Sequence, residues 1–276
     1  MSATVAAPAE ARPRPRRRRR RRIGLLHVYV GLLLLFLFLP LVVLIVFSFS
    51  ASGQLRFPIT GLSLRWYREV FGSSTVINGI LTSLGVAAVT AAIVTAIGTL
   101  AAVVVTRYRF RGAGVVTALI LAPAALPGLV IGIALLNFFG DLHMTLSLLT
   151  VTVGHVVYTL PFFYLVLSAR LRRFDPLLDE AATDLGAGPV QRFRRVTAPL
   201  VAPAILASAF VVLALSWDEF QITFFTIGNQ STLPLVIWSR ARLSIDPSVN
   251  AIGTLMVAGS LLVVIFTRRF IAESYQ

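Results

Sequence analysis

The sequence predicts an all-α membrane protein with six transmembrane helices, and three observations carry that expectation. Of 276 residues, 57% are hydrophobic and only 13% charged, about half the charged share of an ordinary soluble domain. The apolar residues gather in long runs, each near the ~20 residues that a helix needs to cross a hydrocarbon core. The positive charge, +14 in total, falls unevenly on the segments that join those runs.

The elements follow in order. Arg12, Arg14 and the run Arg16 to Arg22 precede the first apolar run. Residues 1–25 read as a disordered cytoplasmic tail that enforces topology and touches anionic lipid. No aromatic side chain interleaves with those arginines to stack on bases, which argues against nucleic acid as a partner. The first span runs from Leu26 to Phe49. It is too long for the apolar region of a signal peptide, and Ser50-Ala51-Ser52 is a weak cleavage site, so an uncleaved helix is expected. In the outer stretch Ser50 to Val76, Trp66, Tyr67 and Phe71 suit a short interfacial helix. Residues 26–76 thus hold the first span and this outer loop.

Residues 77–276 read as the core domain. Its spans run from Ile77 to Thr106, Gly114 to Phe138, Leu146 to Ala169, Leu200 to Trp217 and Ala251 to Thr267. Pro123, Pro127 and Gly128 should kink or break the third of the six. The tail, Arg107, Arg109, Arg111, the cluster Arg170, Arg172, Arg173, Arg192, Arg194, Arg195, and Arg268 and Arg269 all fall on one side. Arg56, Arg65, Arg68, Arg240 and Arg242 fall on the other, offset by Glu69, Asp141, Asp218, Glu219 and Asp246. The arginine bias makes the first side cytoplasmic, with both termini on it.

Composition also excludes chemistry. There is no cysteine, hence no disulfide, thiolate metal site or cysteine nucleophile. There is no lysine either, and a Walker A loop needs one to reach the β- and γ-phosphates. Any coupling to ATP must come from a partner. His143 and His155 have no acid pair nearby, so no metal site is expected; His155 reads as a packed hydrogen bonder between helices. No Ser-His-Asp or paired-carboxylate arrangement points to an enzyme.

The cytoplasmic loop 170–199 is the informative segment. Asp175 and Pro176 open a short helix from Pro176 to Leu185, and Gly186 and Gly188 end it. Leu177, Leu178, Ala181 and Leu185 share one face, and Glu180 and Asp184 stack a turn apart on another. Such a helix can dock on a protein or lie on lipid. The small residues Ala181, Ala182, Gly186 and Ala187 favour close packing against protein.

Glu180-Ala181-Ala182, Gly186 and Pro199 resemble the Glu-Ala-Ala loop of binding-protein-dependent ABC importer permeases. Val196 and Ala198 replace the isoleucine and leucine of the family's pattern. The resemblance runs from Asn78-Gly79-Ile80-Leu81-Thr82-Ser83-Leu84 to the C-terminus. Leu215 to Phe220, Thr223-Phe224-Phe225, Thr232 to Leu235 and Asp246 to Ala251 are most similar to the second permease subunit of spermidine/putrescine-type systems. Permeases for ferric iron, sulfate, thiamine or amino-acid derivatives share parts of these motifs.

The resemblance implies a type I permease fold in a bacterial inner membrane. It also implies a coupling helix, with Glu180, Ala181, Ala182, Asp184, Leu185, Gly186 and Ala187 against an ATP-binding subunit dimer. A second permease subunit and an outer solute-binding protein complete the assembly. ATP and Mg belong to the ATPase partner, and no cofactor is expected in this chain. For the substrate path the candidates are Trp217, Asp218, Glu219, Phe220, Phe224, Phe225 and Tyr158, with Asn137 and Pro161 weaker. Each also has a plainer reading, as a solvated helix end or an interfacial aromatic. Two other classes of membrane protein share this composition. A stand-alone secondary transporter or channel would show inverted repeats or several mid-span charges. A membrane-embedded enzyme would need a catalytic cluster. The sequence shows neither.

Overall fold

The computed structural model describes residues 24–53, 56–59, 61–108, 110–243 and 247–273. The arginine-rich stretch, Arg109 and Asp246 lie outside the described residues. The chain divides into two compact units, Met1–Val43 and Leu44–Gln276. In the first, the described part belongs to α1 (Leu25–Ser48), whose leucines and phenylalanines up to Val43 are exposed. Such all-round apolar exposure suits a helix surrounded by lipid.

The second unit holds every other helix. The expected short helix after the first span is α2 (Arg65–Gly72). Trp66 anchors it by donating from Nε1 to the Ser50 carbonyl at 2.8 Å. Next comes α3 (Ser74–Arg107), 34 residues long. It packs on α6 (Leu148–Leu171) and α9 (Ala198–Asp218), which together enclose Val94, Ala102, Phe163, Tyr164, Leu167, Leu171, Val201 and Val212. Gly98 permits the close approach of α3 to α6, because a Cβ there would stand 2.5 Å from the Phe163 ring.

The third span is broken rather than kinked. The helix α4 (Ala113–Leu121) passes into a 3₁₀ turn at Ala122–Ala125, and α5 (Gly128–Asp141) follows at 109°. Leu126 is extended, as the residue before a proline prefers, and Pro127 opens α5. Thr117 on α4 meets Tyr164 on α6, 3.3 Å between hydroxyls, whereas Leu135 on α5 packs beside Gly154 of α6. Those contacts are made by α6 residues ten positions apart. Taken together, the two halves are long and apolar enough to count as one interrupted span.

The fifth span also departs from the expectation that it ends near Trp217. The chain leaves α9 at Asp218, is extended at Glu219 (φ −71°, ψ 114°), and resumes as α10 (Gln221–Thr226). α10 rises beside the first turns of α6, where Thr150 donates from its hydroxyl to the Thr226 carbonyl at 2.6 Å. Asp218 and Glu219 thus sit about 10 Å short of the start of α6. A Glu219 carboxylate oxygen accepts the Ile222 amide at 2.8 Å, so the chain can stop and restart without stranding that donor.

Beyond lies α11 (Leu233–Leu243), a helix that the sequence patterns did not reveal. The Leu233 amide donates to the Ser83 hydroxyl of α3 at 2.9 Å. Arg240 bonds the hydroxyls of Ser73 and Ser248, both at 3.0 Å, pinning α11 to the starts of α3 and of α12 (Ser248–Glu273). Among the described residues five helices are long and apolar enough to cross a membrane, and a sixth span is reached when the bent pair is counted as one.

Candidate functional site

Two regions at opposite ends of α6 gather the residues that the sequence singled out. At the end where α6 finishes, α7 (Pro176–Asp184) stands in the loop. The Asp175 carboxylate accepts the Leu177 amide at 3.0 Å, capping the helix as expected. At its other end the Gly186 amide donates to Thr183 O and the Ala187 amide to Ala182 O. With Gly186 at φ +83°, this is a full Schellman stop. A Cβ on Gly186 would meet nothing within 4 Å, so the glycine serves the left-handed backbone and leaves its surroundings open.

The exposed apolar face is present. Leu177, Leu178 and Ala181 are exposed, and Leu185 is 89% exposed. Glu180 and Asp184 are exposed as well, while Ala182, 8% exposed, turns inward. The acid that ties α7 to the bundle is one the sequence reading passed over. Asp179 pairs through Oδ2 with Arg107 Nη1 at 3.1 Å and accepts from the Thr197 hydroxyl through Oδ1 at 3.4 Å. The Arg107 guanidinium stacks on the Phe174 ring, 4.1 Å from its centroid. Within the loop, Arg192, the last residue of α8 (Pro189–Arg192), donates to the Thr183 hydroxyl at 2.8 Å. A cleft of about 480 Å³ opens here, with Arg107, Phe174, Asp179, Glu180, Arg192 and Thr197 among its lining residues.

At the other end, where α6 begins, a buried polar junction joins α6, α9 and α10. His155, 1% exposed, has Nδ1 2.7 Å from the Ser216 hydroxyl and Nε2 2.8 Å from the Thr223 hydroxyl. Thr223 spends its own proton on the Glu219 carbonyl at 2.9 Å, so it accepts from His155. A neutral His155 then carries its proton on Nε2 and accepts from Ser216 at Nδ1. The expected role of His155, a hydrogen bonder between packed helices, is what this geometry provides.

A family model described as "Binding-protein-dependent transport system inner membrane component" matches residues 94–273, a stretch that holds both regions. The chain belongs to that family. The putrescine transport system permease protein PotI of Escherichia coli K12 is 35% identical over 205 residues, 71% of this chain and 73% of PotI. The spermidine/putrescine transport system permease protein PotC of Haemophilus influenzae is 32% identical over 209 residues, covering 75% and 81%. A solved bacterial ABC transporter for import of the acidic polysaccharide alginate superposes with a TM-score of 0.73 at 15% identity, over 90% of this chain and 93% of its own. That likeness is one of fold. The chain is thus a multi-pass ABC importer permease, and the channel and enzyme readings fall away.

Within this permease the path candidates part company. Trp217 is 7% exposed, packed with Trp66, Val70 and Ala251 and beside Gly259 of α12. It sits in the core, apart from a partly exposed aromatic group. That group comprises Phe220, Phe224 and Phe225 with Trp238 of α11. Phe224 lies 5.0 Å from Trp238 and 5.2 Å from Phe225, both edge-on, and Phe220 lies 5.7 Å from Phe224. The sequence reading missed Trp238, because the helix that presents it was unforeseen. Arg242 places its guanidinium 4.8 Å over the Trp238 ring. Asp218 is exposed and Glu219 buried, and Tyr158, half-buried, packs edge-on to Phe162. Asn137 is exposed on α5 and Pro161 is buried in α6.

Proposed function

We propose that this permease subunit serves an ATP-driven importer of polyamines, with α7 docked on a partner ATP-binding subunit in the cytoplasm. One observation carries the docking role: α7 is capped at both ends yet turns Leu177, Leu178 and Leu185 away from the bundle. A helix so stabilised and so exposed supports a protein partner. Glu180, Ala181, Asp184, Gly186 and Ala187 border those leucines and belong to the same surface, with Ala182 seating it on the bundle. The arginine bias puts this end and both termini on the cytoplasmic side. With no lysine the chain offers no Walker A loop, and ATP and Mg are taken to bind the partner. Closure of the ATP-binding subunits would move α7 and alternate access between the two sides. A second permease subunit completes the path and a solute-binding protein delivers to it. In this reading residues 1–25 are a cytoplasmic tail, 26–76 the first span and its outer loop, and 77–276 the core with its coupling loop 170–199.

The substrate class rests on the relatives named for putrescine and spermidine. An ammonium group stripped of water needs anionic or aromatic partners. Asp218, Glu219, Tyr158, Phe220, Phe224 and Phe225 are side chains of that kind near the break between α9 and α10. Trp217 supports this break from the core. The test is ATP-dependent uptake of radiolabelled putrescine into vesicles holding the complete complex. Accumulation, competed by spermidine, is expected. Uptake of no polyamine by an otherwise ATP-hydrolysing complex would overturn the substrate and leave another small solute, such as thiamine or ferric iron.

A further inference from the structure

The ion pair between Arg107 and Asp179 joins two elements that the proposed cycle must move together. Asp179 uses both carboxylate oxygens, one on the last residue of α3 and one on Thr197, immediately before α9. Neither bond is needed to hold α7 helical, since Asp175 and Gly186 already secure its two ends. Arg107 is not a loosely held surface cation either. It ends a 34-residue helix, where a positive charge complements the helix dipole, and Phe174 covers its guanidinium.

We propose that Arg107 and Asp179 are positioning residues that pass displacement of α7 to α3, and so to the opposite end of the bundle. This rests on the reading of α7 as the docking helix. At about 1.5 Å per residue, α3 is a rod about 50 Å long. Its far part is fastened to α11 through Ser83 and to Arg240 through Ser73. Its near end meets α7 through the one carboxylate. A shift of α7 transmitted there reaches α11, whose Trp238 stands beside Phe220 and Phe224. The cleft beside the pair gives it room to move. Two Arg107 nitrogens, Nε and Nη2, are buried without a hydrogen-bond partner among the described residues.

The test uses the complete complex in vesicles, with Asp179→Asn, Arg107→Gln and the reciprocal pair Arg107→Asp with Asp179→Arg. Three quantities are read: capture of the ATP-binding subunit, basal ATP hydrolysis, and its stimulation by the solute-loaded binding protein. In each single variant, stimulation should fall about two- to thirty-fold, the range for residues that carry coupling between sites. Capture and basal hydrolysis should persist. The reciprocal pair should recover part of the stimulation, which a merely structural defect would not allow. Unchanged stimulation in both single variants, with capture intact, overturns the link alone. Loss of capture in step with stimulation overturns it too, because Asp179 would then shape the docking surface. A wild-type chain that captures no ATP-binding subunit overturns the docking reading and the link with it.

Discussion

The two ends of α6 treat polar and apolar groups in opposite ways. Around α7 the leucines face outward, while Ala182 and Asp179 seat the helix on the bundle. Around His155 the polar groups of α6, α9 and α10 face one another in the interior. Unspent apolar surface marks a place where something else binds, whereas satisfied buried polar groups mark packing that fixes one geometry. The first end offers apolar surface to a partner, whereas the His155 junction satisfies its own polar groups.

Substitutions at Gly186 should break this contrast most severely. Gly186→Asp should abolish uptake while the subunit still inserts, measured by transport in vesicles and by membrane fractionation. Gly186→Ala separates the causes. The open space around its Cβ leaves only left-handed backbone strain, about 1–2 kcal/mol. A thermal-melting loss of that size with uptake largely kept would assign the aspartate's larger effect to the docked partner.

The His155 junction should answer in stability. His155→Leu removes the bridge between Ser216 and Thr223 and leaves both hydroxyls short of a partner. It should cost about 1–2 kcal/mol, read as a lower melting temperature in detergent. At Gly132 a Cβ would stand 2.9 Å from the Phe225 ring and 3.1 Å from the Gln221 carbonyl. Gly132→Val should therefore cost about 1–3 kcal/mol by overpacking, and it also presses on the aromatic group. A melting temperature unchanged by either substitution would remove the claim that this junction is tightly fitted.

The smallest structural effect is expected at the α9–α10 break. Glu219→Gln keeps an oxygen for the Ile222 amide, so stability should change by under about 1 kcal/mol. Uptake of a cation should nevertheless weaken. If uptake is unaffected by this change and by Asp218→Asn, these acids are excluded from the path and Glu219 is left as a helix cap.

Legibility in the sequence follows the same division. The cap and stop of α7 depend on residues within a dozen positions, so Asp175, Pro176 and Gly186 could be read directly, whereas Gly188 caps the start of α8 instead. His155 was legible as a polar group in an apolar run that had to find partners, though not which ones. Asp179 was missed because its partner Arg107 is 72 positions away and nothing local distinguishes it from Glu180 or Asp184. The break after Asp218 was missed because hydropathy registers an apolar run and cannot see a carboxylate folding back to cap the next turn. Trp217 looked like its aromatic neighbours, yet helical rotation turns it toward Gly259 while Phe224 stays exposed.

The docking claim is tested most directly by proximity. The chain contains no cysteine, so Leu185→Cys introduces a single thiol at the most exposed side chain of the loop's apolar face. In membranes holding the whole complex, that thiol should cross-link to the ATP-binding subunit and resist a membrane-impermeant maleimide added from outside. Adding Gly186→Asp should abolish the cross-link. A thiol that labels readily from outside and never joins the ATP-binding subunit would contradict the account.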